Sequence, residues 1–173
     1  NDSLSMIFLF FLDYDSYSQD IVKSDQDLKG SELFMGQLIL PLKLNYSNKD
    51  IKKNTNDSTY IKSGLSYQLA DGSWENLAVK LRARGNNRLK NCYYAPIKIK
   101  IKKSVAAGTL FEGHKKLKLV LPCLRQKDNN DNVVKEYMAF KLYEIISPYH
   151  YKTRLVSIDF TEITGNKTKK HTK

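Results

Sequence analysis

The stretch that decides the fold is Gly64-Leu65-Ser66-Tyr67-Gln68-Leu69, then Asp71-Gly72, then Leu77-Ala78-Val79-Lys80-Leu81-Arg82-Ala83-Arg84. The first segment alternates apolar and polar residues, as a half-buried strand does. The Asp-Gly dipeptide favours the positive φ angles of a tight turn. The returning segment alternates again, with basic side chains at 80, 82 and 84 opposite apolar ones. We therefore predict a hairpin with one apolar face and one basic face.

Other segments extend this pattern. Strands are predicted at Leu38–Leu44, Ile97–Ile101, Lys115–Leu121 and Leu155–Ile163. Pro41 predicts that the first of these is an edge or bulged strand, because proline has no backbone N–H. A broad apolar stripe of period 3.6 predicts one helix over 133–146, with Asp131 or Asn132 as its N-cap and Ser147-Pro148 as its end. This order predicts an α+β fold with a mainly antiparallel sheet and one packed helix.

Charge is distributed unevenly along the 173 residues, whose net charge is +11. Residues 1–75 carry 7 basic and 11 acidic side chains, whereas residues 76–173 carry 22 and 7. The basic second half suggests an anionic partner, such as a nucleotide, a nucleic acid, a membrane or an acidic protein. The sequence has no apolar run of the ~20 residues that cross a bilayer. It also lacks the common nucleotide-binding, hydrolase and zinc-protease motifs, and its histidines and cysteines lack metal-ligand spacing.

Four segments are expected along the chain. Residues 1–19 contain the run Met6-Ile7-Phe8-Leu9-Phe10-Phe11-Leu12, which fits either the remnant of a signal peptide or a buried strand. Residues 20–32 are polar and are predicted to be a linker, and residues 33–163 form the domain. Residues 164–173 are expected to be a solvated basic tail or a connection to a further lobe.

One constellation of residues has the chemistry of an anion site. Gly85, between two strands, lets backbone N–H groups approach an anion, and Arg84 and Arg88 could grip a phosphate together. Kinases fix a strand lysine on the nucleotide phosphates by pairing it with a helix glutamate, and Lys118 and Glu136 could form such a pair. The alternative is that these side chains are simply a solvated surface. Lys98, Lys100 and Lys102 alternate with isoleucines, and we interpret them in the same simple way, as the solvated face of a sheet.

Four segments carry a resemblance to known proteins. They are Val79-Lys80-Leu81-Arg82-Ala83-Arg84-Gly85-Asn86-Asn87-Arg88, Cys92-Tyr93-Tyr94-Ala95-Pro96-Ile97-Lys98, Gly108-Thr109-Leu110-Phe111-Glu112-Gly113-His114-Lys115-Lys116-Leu117-Lys118-Leu119-Val120 and Lys135-Glu136-Tyr137-Met138-Ala139-Phe140-Lys141-Leu142-Tyr143. Over residues 33–163 the chain resembles a group of uncharacterised exported bacterial proteins. More distantly, it resembles the spore-coat CotH-like atypical kinases.

The resemblance implies a protein-kinase-like small lobe that binds ATP with magnesium. Arg84, Gly85 and Asn86 match the R-G-N segment of the family, and Arg88 follows it. Lys118 is the candidate phosphate lysine, with Lys116 as a competitor, and Glu136 is its helix partner. The catalytic and metal-binding aspartates of such kinases would lie beyond residue 163, so this segment alone is expected to be inactive. Cys92 and Cys123 match cysteines of the exported group, which implies a disulfide.

The sequence and the resemblance together suggest three candidate functions. The first is the small lobe of an exported, periplasmic, secreted or cell-surface kinase, which acts on a protein substrate if a second lobe supplies the aspartates. The second is a non-catalytic exported binding module with a basic, anion-binding face. Nucleic-acid binding is the third and is disfavoured, because the basic residues alternate along strands and no RNP-like aromatic motif is present.

Overall fold

The computed structural model describes residues 7–12, 32–124, 130–147, 150–164 and 167–172, with only the backbone described for the first and last of these ranges. Its strands are β1 (Ile7–Leu12), β2 (Leu40–Tyr46), β3 (Ile61–Gln68), β4 (Trp74–Ala83), β5 (Ile97–Ile101), β6 (Lys116–Val120), β7 (Leu155–Thr164) and β8 (Lys167–Thr172). Its helices are α1 (Glu32–Met35), α2 (Asn48–Lys53), α3 (Asn86–Asn91), α4 (Lys103–Ala106) and α5 (Asn130–Ile146).

The sheet closes on itself. Its strand order is β1-β6-β5-β4-β3-β2-β7-β8, and β1 also pairs with β7. Seven strands therefore form a ring, and β8 continues along the part of β7 that β1 does not reach. The β2–β7 pair is parallel and all the other pairs are antiparallel. The predicted α+β class, with a mainly antiparallel sheet and one packed helix, is confirmed.

The predicted hairpin is β3 and β4. Its turn contains Gly72 at a φ of 84°, a backbone angle that glycine adopts without steric cost. The four alternate apolar residues of β4 all point inward and are buried: Leu77, Val79, Leu81 and Ala83. Inside the ring, the rings of Tyr67 and Phe111 make an edge-to-face contact with centroids 5.2 Å apart. This packing makes the interior of the sheet the hydrophobic core.

Strand β2 differs from its prediction. The sequence predicts an edge or bulged strand because of Pro41, but β2 lies between β3 and β7. Pro41 pairs with Ser157 of β7 and precedes the residues Leu42–Leu44 that pair with β3. A missing N–H donor is tolerated at such a position, where one of the two ladders has not yet begun. Leu38, where the predicted strand begins, lies before β2 and is 83% exposed.

Short helices form in segments for which the sequence analysis predicts neither a helix nor a strand. Helix α2 lies within residues 45–59, which are rich in polar residues. The hydroxyl of Ser47 accepts a hydrogen bond from the backbone N–H of Asp50 and so caps the helix. Ile51 of this helix is fully buried. One capping residue and one apolar anchor are therefore enough to form a helix that composition alone does not reveal.

Helix α5 is more exposed than its apolar stripe predicts. It begins at Asn130, earlier than N-caps at Asp131 or Asn132 would place it. Val133 packs against Val120 on the outer side of β6, with Tyr137 and Phe140 beside it. Four other apolar side chains of the helix are exposed: Met138, Leu142, Ile145 and Ile146. The apolar residues are therefore spread around the helix, and only one side of it rests on the sheet.

Both ends of the chain contribute strands. Residues Ile7–Leu12, for which the sequence allowed a strand or a signal remnant, form β1 between β6 and β7. Cleavage of a leader within residues 1–19 stays a prediction. Lys167–Thr172, expected to be a solvated basic tail or a connection to a further lobe, forms β8 on β7. The predicted linker lies outside the described residues except for Glu32, which begins α1.

Candidate functional site

Basic side chains lie side by side across the outer face of four neighbouring strands. The registers place Lys62 opposite Lys80, Lys80 opposite Lys100, and Lys100 opposite Lys116. We call these four lysines the exposed row, because each is solvent-exposed. They face outward because the residues next to them along the strands, such as Leu81, Ile99 and Leu117, are fully buried inside the ring.

A second row runs beside the first, two residues away from it along β4, β5 and β6. Arg82 lies opposite Lys98, and Lys98 lies opposite Lys118. These three side chains are half-buried, so we call them the half-buried row. Residues directly opposite in an antiparallel pair lie about 4.5–5.5 Å apart, and like charges at that distance repel each other. The seven residues of the two rows, named here the basic face, thus concentrate positive charge on one side of the sheet.

Aromatic rings lie at both ends of the half-buried row. At one end, the Nε of Arg82 donates a hydrogen bond of 3.2 Å to the hydroxyl of Tyr60. The guanidinium carbon of Arg82 and the Nζ of Lys100 each lie 5.7 Å from the centroid of that ring. At the other end, the Nζ of Lys118 lies 5.4 Å from the ring centroid of Tyr151. These are cation–π distances.

Arg82 is held in its charged form. Its Nη1 forms an ion pair of 2.5 Å with the carboxylate of Asp57, whose side chain is almost fully exposed. Partial burial of the guanidinium opposes its charge, but the hydrogen bonds to Tyr60 and Asp57 outweigh burial and raise the pKa of Arg82. Because Asp57 is so exposed, water and salt screen the ion pair.

The predicted R-G-N segment lies at the end of β4, next to the basic face. The backbone N–H of Arg84 bonds to the carbonyl of Pro96 at 2.9 Å, so strand pairing continues one residue beyond Ala83. By strand alternation, Arg84 lies on the same side of the sheet as Arg82. Gly85 has a φ of 76° and turns the chain into α3, which contains Asn86 and Arg88. The segment therefore extends the basic face by one arginine.

The predicted partners Lys118 and Glu136 lie on β6 and α5. Ion pairs between described residues join Arg82 to Asp57, Lys141 to Glu144 and His150 to Glu144. Glu136 takes part in none of them, and Lys118 lies in the half-buried row. Lys116, the competing candidate, is in the exposed row. The structure thus groups both lysines with Arg82 and Lys98, and the kinase-like pairing stays a prediction.

A disulfide anchors the segment that follows α3. The sulfurs of Cys92 and Cys123 are bonded, which is the pairing that the resemblance implied. The backbone N–H of Tyr93 bonds to the carbonyl of Cys123 at 2.7 Å. From α2, the Nζ of Lys52 donates to the carbonyl of Cys92, and the Nδ2 of Asn48 donates to the carbonyl of Tyr93. Helices α2 and α3 and the end of β6 are therefore tied together beside the basic face.

Sequence reasoning found the individual lysines but missed their alignment. Strands β4, β5 and β6 each place basic residues at every second position, at 80 and 82, at 98 and 100, and at 116 and 118. This two-residue spacing is the pattern in the sequence that points to the basic face. The registers of the three strand pairs are also needed to show that the basic residues lie side by side. Lys102, expected on the same face, lies just after β5.

Two further features of the described residues bear on function. Within them, no three His, Cys, Asp or Glu side chains come together as a metal site requires. None of the helices in this part of the chain combines the length and apolar character needed to span a bilayer.

Comparison with known proteins found no matching protein-family model, curated protein or solved structure. The resemblance to CotH-like kinases and its functional implications accordingly rest on the sequence segments alone.

Proposed function

We propose that this domain is a non-catalytic binding module that holds a polyanion on its basic face. The observation that carries the proposal is the alignment of seven cationic side chains in two rows across β3, β4, β5 and β6. Placing like charges opposite one another costs stability, and a bound polyanion offsets that cost. When a polyanion binds, the cationic side chains also displace the small cations condensed on it. The release of these counterions favours binding most strongly at low salt.

The position of the disulfide supports an exported location for this module. Structural disulfides persist in secreted and periplasmic proteins and are rare in the reducing cytosol. The bond between Cys92 and Cys123 holds the segment that follows the R-G-N turn. A periplasmic, secreted or cell-surface module would keep this bond, and with it the geometry next to Arg84.

Binding of inorganic polyphosphate at several salt concentrations tests the proposal. We expect a linear fall of log affinity with log salt, and a slope that becomes shallower by about one unit for each basic-face contact removed. The test variant is Lys80→Gln/Lys100→Gln, which removes the centre of the exposed row. Its matched control is Lys49→Gln/Lys53→Gln, which removes two exposed lysines from α2. Equal losses in the two variants would contradict a specific basic face.

The same protein can be titrated with ATP in the presence and absence of magnesium. A binding module that recognises phosphate charge alone should bind ATP weakly and without a requirement for magnesium. Magnesium-dependent ATP binding that is lost in both Lys118→Met and Glu136→Gln would instead favour the small lobe of a CotH-like kinase.

A further inference from the structure

The ends of the half-buried row suggest which polyanion the basic face accepts. We infer that it binds single-stranded nucleic acid, with bases stacking on the rings of Tyr60 and Tyr151; this inference rests on the proposed function. Proteins that bind single strands combine a cationic track for the phosphates with aromatic rings for the bases. The half-buried row and its flanking rings have this composition. They form a line in which three cations lie between two aromatic rings, in the order Tyr60, Arg82, Lys98, Lys118, Tyr151.

The dimensions of the line suit a short single strand. Neighbouring strands lie about 4.8 Å apart, so the step from Tyr60, just before β3, to Lys118 of β6 covers about 14 Å. Tyr151 extends the line beyond Lys118. The exposed row runs parallel to it at about 7 Å, the rise of two residues along a strand. A line of this length can contact only a few nucleotides. It is therefore comparable to the smallest sites of single-strand-binding domains, which contact ~4–16 nucleotides each.

The two tyrosines distinguish a single strand from other polyanions. Inorganic polyphosphate and the headgroups of an anionic bilayer offer negative charge but no aromatic bases to stack. A duplex hides the faces of its bases inside the helix. Tyr151 is 40% exposed and Tyr60 is partly exposed, so both residues are in contact with solvent. Cations beside a ring also attract the π-system of a base.

Strand register changes the expectation that sequence alone gives. Nucleic-acid binding is disfavoured by the sequence because its basic residues alternate along strands. Across strands, however, the same residues lie in continuous rows. Tyr60 and Tyr151 are 91 residues apart in the sequence, and no linear motif connects them. Only the closed sheet brings both rings to the ends of one row.

The test compares two probes that carry the same number of phosphates: a labelled 12-nucleotide oligothymidine and its abasic counterpart. Fluorescence anisotropy with the full chain should show oligothymidine binding about 10- to 100-fold more tightly, because each stacked base contributes about tenfold. Tyr151→Leu should weaken oligothymidine binding about tenfold. Tyr60→Leu also removes the hydrogen bond to Arg82, and it should weaken oligothymidine binding about tenfold more than it weakens abasic binding. Tyr60→Phe and Tyr151→Phe keep the rings and should retain most of the affinity.

The outcomes separate this inference from the proposed function. Equal affinities for oligothymidine and the abasic probe would overturn base stacking and leave the polyanion module standing. Tighter binding to duplex DNA or to vesicles of phosphatidylserine would overturn the preference for a single strand. Failure of inorganic polyphosphate and of both oligomers to bind at low salt would overturn the proposed function itself. The comparison of probes uses the unmodified chain, so it holds even if a leucine variant does not fold.

Discussion

Tyr46 illustrates how the closed sheet alters the chemistry of a single residue. It is the last residue of β2, is almost completely buried, and packs with its ring centroid 4.5 Å from that of Phe160. Burial raises the pKa of Tyr46 well above its ordinary value of 10, and the nearby Tyr94, Glu162 and Tyr93 add to the effect. The phenol is thus neutral in the folded chain at pH values where the unfolded chain would ionise it.

We predict that stability falls in alkaline solution, in part through this tyrosine. A raised folded pKa stabilises the fold fully below the unfolded pKa of about 10, and that contribution is lost as pH rises toward the folded pKa. One such group lowers the free energy of unfolding by about 1.4 kcal/mol per pH unit in that window. Urea unfolding between pH 8.5 and 11 should therefore show a shallower decline for Tyr46→Phe than for the parent chain.

The matched control for this pH dependence is Tyr143→Phe. Tyr143 is about half exposed on α5, so this variant makes the same tyrosine-to-phenylalanine change without removing a buried phenol. Lysines also titrate in this range, but they are common to all three proteins and cancel in the comparison. Parallel curves for the parent chain and Tyr46→Phe would refute the proposed contribution.

At the scale of elements, the sequence predicted the strands whose signal is local. In β4, for example, the apolar Val79 and Leu81 lie on either side of Lys80. Side chains alternate between the two faces within any one strand, so this pattern can be recognised from the strand's own sequence. The pairing register between strands, however, could not be predicted from the sequence, because it depends on which residues of distant strands share the core. Lys98 lies opposite Lys118, twenty residues later, and this pairing belongs to no local pattern. The basic face was unpredictable as a site for this reason.

Helix α5 shows a second limit of local patterns. Its apolar residues predicted a broad buried stripe, yet Val133 is buried while Leu142 and Ile145 are exposed. Periodicity identifies the helix correctly, since 3.6-residue spacing is a property of the helix itself. It does not say how wide a surface the sheet offers. Strand β6 presents Val120 outward next to the half-buried row, and Val133 of the helix packs on it.

We predict a clear stability loss when the link between α3 and the end of β6 is removed. The disulfide closes a loop over a sequence separation of 31 residues, which corresponds to about 3–4 kcal/mol in the chain-entropy account. Cys92→Ser/Cys123→Ser should lower the free energy of unfolding by about that amount in urea titrations. The hydrogen bonds from Asn48 and Lys52 to this segment should keep the folded structure otherwise similar.

Reducing agent provides the control for the disulfide. It should destabilise the parent chain to the level of the double variant, and it should leave the double variant unaffected. A parent chain as stable in reductant as without it would show that the bond contributes nothing to the fold.

At the scale of the whole molecule, closure of the sheet depends on residues far apart in the chain. Strand β1 pairs residues 9–12 with β6 and residues 7–9 with β7. Without it, the facing edges of β6 and β7 would have unpaired N–H and C=O groups, which promote association between chains. The apolar run Met6–Leu12, which contains β1, also fits the hydrophobic region of a signal peptide, so its removal distinguishes the two interpretations.

We predict that a chain starting at residue 13 is destabilised by on the order of 5 kcal/mol, at about 1 kcal/mol for each lost backbone hydrogen bond. It should also self-associate in size-exclusion chromatography through its opened edges. A chain starting at Met6 keeps β1 and serves as the matched control, with a stability close to that of the parent. If the chain starting at residue 13 is instead monomeric and as stable as this control, β1 is dispensable. The apolar run is then better explained as a cleaved leader than as the strand that closes the sheet.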